Sequence, residues 1–119
     1  MPRIIAAIGD LMFRSKVDEA AKALNIQITY VRDASEVIEQ LRMGTPGLMI
    51  LDLNAAKLHP LDTLLTLRQN AAFEAIPIVG YAGHVQTELM EQARQLGCSS
   101  VLTNGQFAAQ LPELLKSAR

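Results

Sequence analysis

Five times along the chain a short apolar run is followed by a segment whose apolar residues recur at helical spacing. Ile4-Ile5-Ala6-Ala7-Ile8 is nearly continuous apolar, as a strand covered on both faces is. Phe13, Val17, Ala20, Ala21 and Leu24 follow on one helical stripe. Ile26, Ile28 and Tyr30 alternate with polar residues and predict a second, more peripheral strand. Asp33-Ala34-Ser35-Glu36 has the pattern of a capping box, opening a helix that carries Val37, Ile38 and Leu41 and stops at Gly44. After the turn Thr45-Pro46-Gly47, the run Leu48–Leu53 predicts a buried third strand with one charge, Asp52, near its end. Leu61, Leu64, Leu65 and Leu67 mark a third helix. Ile76–Ala82 reads as a fourth strand, with Pro77 at its start, where no ladder donor is needed. Val85, Leu89, Ala93 and Leu96 form a fourth helical stripe closed by Gly97, and Ser100–Thr103 is a short fifth strand. Phe107, Leu111, Leu114 and Leu115 make a last helix, which should start near Ala108 or Ala109 so that Pro112 falls in its first turn.

Such alternation predicts an α/β sandwich, a parallel sheet between two helical layers. The 119 residues amount to one domain, expected over 1–119, because a smaller piece buries too little surface to hold itself together. A chain that is 50% hydrophobic and 19% charged is not disordered. Eleven basic against twelve acidic side chains, with no Lys/Arg run, leave no electrostatic footprint for nucleic acid. Aromatics at 4% supply no stacking platform for single strands. No apolar run is long enough to cross a bilayer. Met1-Pro2-Arg3-Ile4 carries no cleavage pattern, so no leader is expected. The single cysteine, Cys98, makes no internal disulfide and suits a reducing compartment, which predicts a cytoplasmic location. Cys98 is expected to pack as a small apolar residue behind Gly97.

In sheets of this kind ligands bind at the C-terminal strand ends. Four clusters of residues fall there: Gly9 and Asp10, Asp52 through Asn54, Ala82 through His84, and Thr103 through Gly105. Asp52 ends a strand that is otherwise Leu, Met and Ile, and a charge there costs free energy unless solvent, a hydrogen bond or a cation receives it. Asp10 either caps the first helix or joins Asp52 around Mg2+, a hard ion that takes oxygen ligands. His84 either faces the crevice as an acid, base or phosphate ligand or is simply solvated. Lys57, in the loop after Asp52, either reaches the site or keeps its head in solvent. In Leu11-Met12-Phe13, Phe13 is expected to begin the core stripe and Met12 to shield the loop; the other reading is a partner patch. Neither a Gly-x-Gly-x-x-Gly fingerprint nor a Walker pattern occurs, so nucleotide binding has no support.

The five units, with Asp52 inside Leu48-Met49-Ile50-Leu51-Asp52-Leu53-Asn54, resemble the receiver domain of two-component response regulators. Arg14 and Leu24 on the first helix, Ile76-Pro77-Ile78-Val79 on the fourth strand and Leu96-Gly97-Cys98 before the fifth add to the likeness. The resemblance implies a flavodoxin-like, receiver-like three-layer sandwich: a five-stranded parallel sheet in order 2-1-3-4-5 with five helices. It implies a stand-alone receiver, since no output domain follows. It makes Asp52 the phosphoacceptor position, supplied by a sensor histidine kinase. It puts Mg2+ at Asp10, Asp52 and the Asn54 carbonyl, in a pocket completed by Gly9, Ala82 and Asn104, to which the position of His84 after the fourth strand adds that residue. It places the partner-binding face on the fourth helix, fifth strand and fifth helix, at Glu91, Arg94, Val101 and Gln110.

The site positions depart from the family's pattern. Its acidic pair falls on Ile8 and Gly9, its strand-four hydroxyl on Ala82, its lysine on Asn104-Gly105 and its strand-five aromatic on Val101. The Met-Pro-x-x-Asp-Gly stretch becomes Ala55-Ala56-Lys57-Leu58-His59-Pro60. Phosphoryl transfer depends on positioning and on neutralising the equatorial oxygens. With those groups replaced, the expected function is a pseudo-receiver: a non-enzymatic signalling protein, monomer or weak homodimer, that binds a partner protein. The alternative is a phosphorelay receiver working through Asp52 and Mg2+. A small-ligand binder of flavodoxin type is a third reading, but Gly9-Asp10-Leu11-Met12 is not a Ser/Thr-rich phosphate loop, and the cobalamin Asp-x-His-x-x-Gly pattern is absent.

Overall fold

Parallel neighbours cannot be joined by hairpins, so each apolar run needs a crossover before the next. The computed structural model of the protein describes residues 3–118. Met1 and Pro2, read above for a leader, and Arg119 lie outside the described residues. Five strands, β1 (Arg3–Ala7), β2 (Gln27–Tyr30), β3 (Leu48–Asp52), β4 (Ile78–Ala82) and β5 (Ser100–Thr103), form one parallel sheet in the order β2-β1-β3-β4-β5. The crossovers are α1 (Leu11–Ala23), α2 (Ala34–Met43), α3 (Pro60–Arg68) and α4 (Thr87–Gln95), and α5 (Asn104–Lys116) follows β5.

The period-2 pleat sorts strand residues into two cores. Ile4, Ala6, Leu48, Ile50, Val79 and Tyr81 meet Phe13 and Val17 of α1 and Phe107 and Leu111 of α5. Ile5, Ala7, Met49, Leu51, Ile78 and Ala82 meet Val37 of α2, Leu64 and Leu67 of α3, and Met90 and Ala93 of α4. The central strands are apolar on both sides because both sides are covered, and each fully buried side chain contributes about 1.5–3 kcal/mol. By the same parity Asp52, two residues after Ile50, belongs to the α1/α5 side, level with Tyr81 on β4.

Several local expectations change. Pro112 sits inside α5, because that helix starts at Asn104 through a full capping box between Thr103 and Gln106. Pro112 is exposed, so its kinking tendency is accommodated toward solvent. The Asp33 box is only half made. Asp33 accepts from the Glu36 N–H at 2.9 Å, but Glu36 reaches Arg32 rather than Asp33. Leu65 turns to solvent on α3, while Thr63 takes a buried place. Val85 lies before α4 and is exposed, and Met90 fills the core position instead. Met12 is 59% exposed.

One side chain absent from the sequence reading ties the lower sheet end together. Arg68 Nε and Nη2 donate to the Gly97 carbonyl, Nη1 to those of Phe73 and Glu74, and Nη2 also to that of Ile76. All five guanidinium N–H groups are thereby used, joining the end of α3 to the start of β4 and to the α4–β5 turn.

Candidate functional site

The C-terminal tips of β1, β3, β4 and β5 converge on Asp52. Its residue is 3% exposed, so its charge must be met by protein donors. The Gly9 N–H donates to Oδ2 at 3.1 Å. The Asn54 N–H and Nδ2 donate to Oδ1 at 3.0 and 3.2 Å. Asn54 then extends the network. Its Nδ2 also donates to Asn104 Oδ1 at 3.1 Å, and its Oδ1 accepts from the Gly83 N–H at 2.9 Å. Both oxygens of Asp52 are engaged, and every donor is a neutral amide.

A cleft of about 570 Å³ opens beside this network, lined by Gly9, Asp10, Asp52, Asn54, Lys57 and Leu58 among others. Asp10 and Asp52 therefore share one opening, as the strand ends suggested. Asp10 is nevertheless committed: it is the N-cap of α1, and Oδ1 accepts from Met12 N–H at 2.7 Å and Phe13 N–H at 3.2 Å. Lys57 is exposed on the rim. Ala82 is fully buried in the second core, so a methyl stands at the position to which the resemblance gives a hydroxyl. Ile8 is buried in the first core. At Gly9 a Cβ would lie 2.9 Å from Ala55 Cβ, so an acidic side chain there has no room without a shift. Asn104 joins the network, whereas His84 is exposed and borders neither this cleft nor the adjacent one under Leu53, His59 and Gln86.

Mg2+ needs several oxygen ligands with free lone pairs. Among the described residues no three His, Cys, Asp or Glu side chains gather in one place. With Asp10 capping a helix and Asp52 accepting three hydrogen bonds, the donor set does not fit a closed metal site.

Burial perturbs Tyr30 at the tip of β2, and also Tyr81 and Cys98. Burial, then the Asp52 and Asp10 carboxylates, holds the Tyr81 phenol protonated far above its ordinary range. Burial likewise pushes the Cys98 thiol up to about 11, despite the Arg68 guanidinium that favours the thiolate. That cation comes from α3, a neighbour local sequence could not reveal. The sequence reading also does not single out Tyr81, because its place beside Asp52 follows from the register of β3 with β4.

The residues expected on a partner face lie at the β5 edge of the sheet. Glu91 and Arg94 are exposed and pair at 3.2 Å on α4. Val101 packs against the α2/α3/α4 core, and Gln110 is exposed on α5.

No protein-family model matches the chain. Solved structures do. A response regulator from Hahella chejuensis superposes with a TM-score of 0.82 at 17% identity, over 98% of this chain and 93% of that one. The chemotaxis response regulator CheY4 of Vibrio cholerae gives a TM-score of 0.80 at 14% identity, over 100% and 99%. The chain has the receiver fold of response regulators. A Mn2+-bound form of the response regulator Rcp1 is a further match, with a TM-score of 0.78 at 18% identity over 95% and 91%. On the receiver fold Asp52 stands at the tip of the third strand, and the tips around it present Gly9, Ala82 and Asn104. No helix of the described residues is long and apolar enough to cross a membrane.

Proposed function

We propose that this chain is a signalling module of receiver type, cytoplasmic and non-enzymatic, that works by binding a partner protein with its acyl-phosphate switch impaired. One observation carries the reading: the Asp52 carboxylate is shared among neutral amide donors, with both oxygens engaged. A phosphoryl group on Asp52 would need fixed positive charge around its equatorial oxygens. The pocket offers Asn104, an amide, at the position the resemblance gives to lysine, and Lys57 only at the exposed rim. Ala82 supplies no hydroxyl to report the modification. The face for the partner is the α4–β5–α5 edge, through Glu91, Arg94, Val101 and Gln110. The test is incubation of the chain with a small phosphodonor, or with beryllofluoride and Mg2+, followed by intact mass and NMR. The expected result is no stoichiometric adduct and no broad shift change; an adduct on Asp52 with shifts across the domain overturns the reading.

A second reading is favoured by Asp10 and Asp52 lining one cleft. In it Asp52 still accepts phosphate from a sensor histidine kinase. Labelling by such a kinase would then vanish in Asp52→Asn; labelling that persists in that variant rejects it.

A further inference from the structure

Tyr81 is the largest fully buried side chain of the sheet. Its ring stacks on Phe107 at 4.2 Å with planes 10° apart, and lies 5.0 Å from the Phe13 ring. Tyr81 thus bridges α1 and α5 from the sheet. Its hydroxyl is the one buried side-chain polar atom among the described residues without a hydrogen-bond partner. A buried hydroxyl left unpaired is destabilising, and such groups are rare in folded proteins. Tyr81 and Asp52 are register partners on adjacent parallel strands, so their side chains leave the sheet on the same face. Asp52 Oδ1 accepts both Asn54 donors, whereas Oδ2 accepts the Gly9 N–H and has room for a further donor.

We propose that the Tyr81 hydroxyl is a further hydrogen-bond donor to Asp52, made by a small adjustment of the phenol, and that it links the state of Asp52 to the Phe13–Tyr81–Phe107 stack between α1 and α5. Tyr81 is a positioning residue in this scheme. It gives the third-strand carboxylate a neutral partner from within the core. A change at Asp52 is then felt by the α1/α5 layer, on the opposite side of the sheet from Ala82. The inference rests on packing and register, so it stands apart from whether Asp52 is ever phosphorylated.

The test is NMR on the full chain with 13C-labelled tyrosine and phenylalanine rings. Tyr30 and Tyr81 are the two tyrosines, so assignment needs only Tyr81→Phe. Asp52→Asn is expected to displace the Tyr81 Cζ signal and the Phe13 and Phe107 ring signals, and the phenylalanine response is expected to disappear in the Tyr81→Phe background. A Tyr81 Cζ signal unmoved by Asp52→Asn, or an undiminished response without the hydroxyl, overturns the proposal. Thermal melting of Tyr81→Phe decides independently. A donor lost from Asp52 lowers Tm, whereas removal of an orphan hydroxyl leaves it unchanged or raises it, and either of those results refutes the link. A phosphoryl adduct on Asp52 would sink the preceding functional reading and leave this contact standing.

Discussion

Asn54 donates its side-chain amide to Asn104 at 3.1 Å, joining the loop after β3 to the first residue of α5 across 50 positions of sequence. The same nitrogen donates to Asp52, and the amide oxygen accepts from Gly83. One neutral side chain therefore ties the tips of β3, β4 and β5, where a charged pair would otherwise be expected from the family likeness. Replacing Asn54 with Ala removes these bonds and should cost about 1–2 kcal/mol, because the site is partly wet. Urea unfolding measures the loss, and Gly83 amide exchange should quicken in the same variant.

Arg68 staples α3 to two turns through five hydrogen bonds. Arg68→Ala frees four carbonyls from charge-assisted bonds and should destabilise by about 3 kcal/mol or more. Arg68→Lys should recover less than half, since an ammonium cannot reproduce the planar fork. Equal urea midpoints for the Lys variant and wild type would contradict this.

Gly97 is held at φ +106°, and a Cβ there would lie 2.7 Å from Arg68 Cγ. Gly97→Ala should therefore cost about 1–3 kcal/mol. Part of that penalty is steric, so a double-mutant cycle with Arg68→Ala should show a smaller loss than the sum. Strict additivity would mean that the backbone conformation alone is responsible.

Pro112 breaks the interior of α5 on an exposed face, where it can give no N–H to the Ala108 carbonyl. Pro112→Ala should stabilise by about 1–3 kcal/mol. The readout is a higher urea midpoint at unchanged slope; a lower one would show that the helix is shaped around the ring.

Cys98 supplies a pH dependence. Its thiol titrates near 9.0 when unperturbed and at about 11 in the fold, because burial disfavours the thiolate. The folded state then binds the proton more tightly than the unfolded chain, so this contribution to stability is intact below pH 9 and is lost as pH rises toward 11. Its full size is on the order of 2 kcal/mol. Wild type should lose more stability than Cys98→Ala between pH 8.5 and 10.5, two values chosen on either side of about 9. Alkylation of the thiol at pH 8 should be slow for the same reason.

The period of the apolar residues made most of this architecture legible. Strand β1 reads as doubly covered and β3 as buried because their runs are continuous, and Asp52 stands out as a charge at the end of β3. Faces were harder to read. Leu65 and Val85 fit a helical stripe by spacing yet point to solvent, while Met90 and Thr63 are inside. A helix's buried side is chosen by the neighbours it packs against, and leucines alone do not name them. The start of α5 lies well before the position that Pro112 alone implies, because the Thr103–Gln106 capping box opens the helix at Asn104.

Side-chain periodicity is a local property, which is why it yields elements, their order and the pleat parity within each strand; the register that sets Asp52 level with Tyr81 comes from the pairing of β3 with β4. What meets a given polar atom is not local. Gly9 reaches Asp52 over 43 residues and Arg68 reaches Gly97 over 29, and neither pairing leaves a mark on spacing. Those partners arise only when the crossovers stack the strands side by side. The character of the pocket, a carboxylate held by amides above a buried phenol, is accordingly a product of packing.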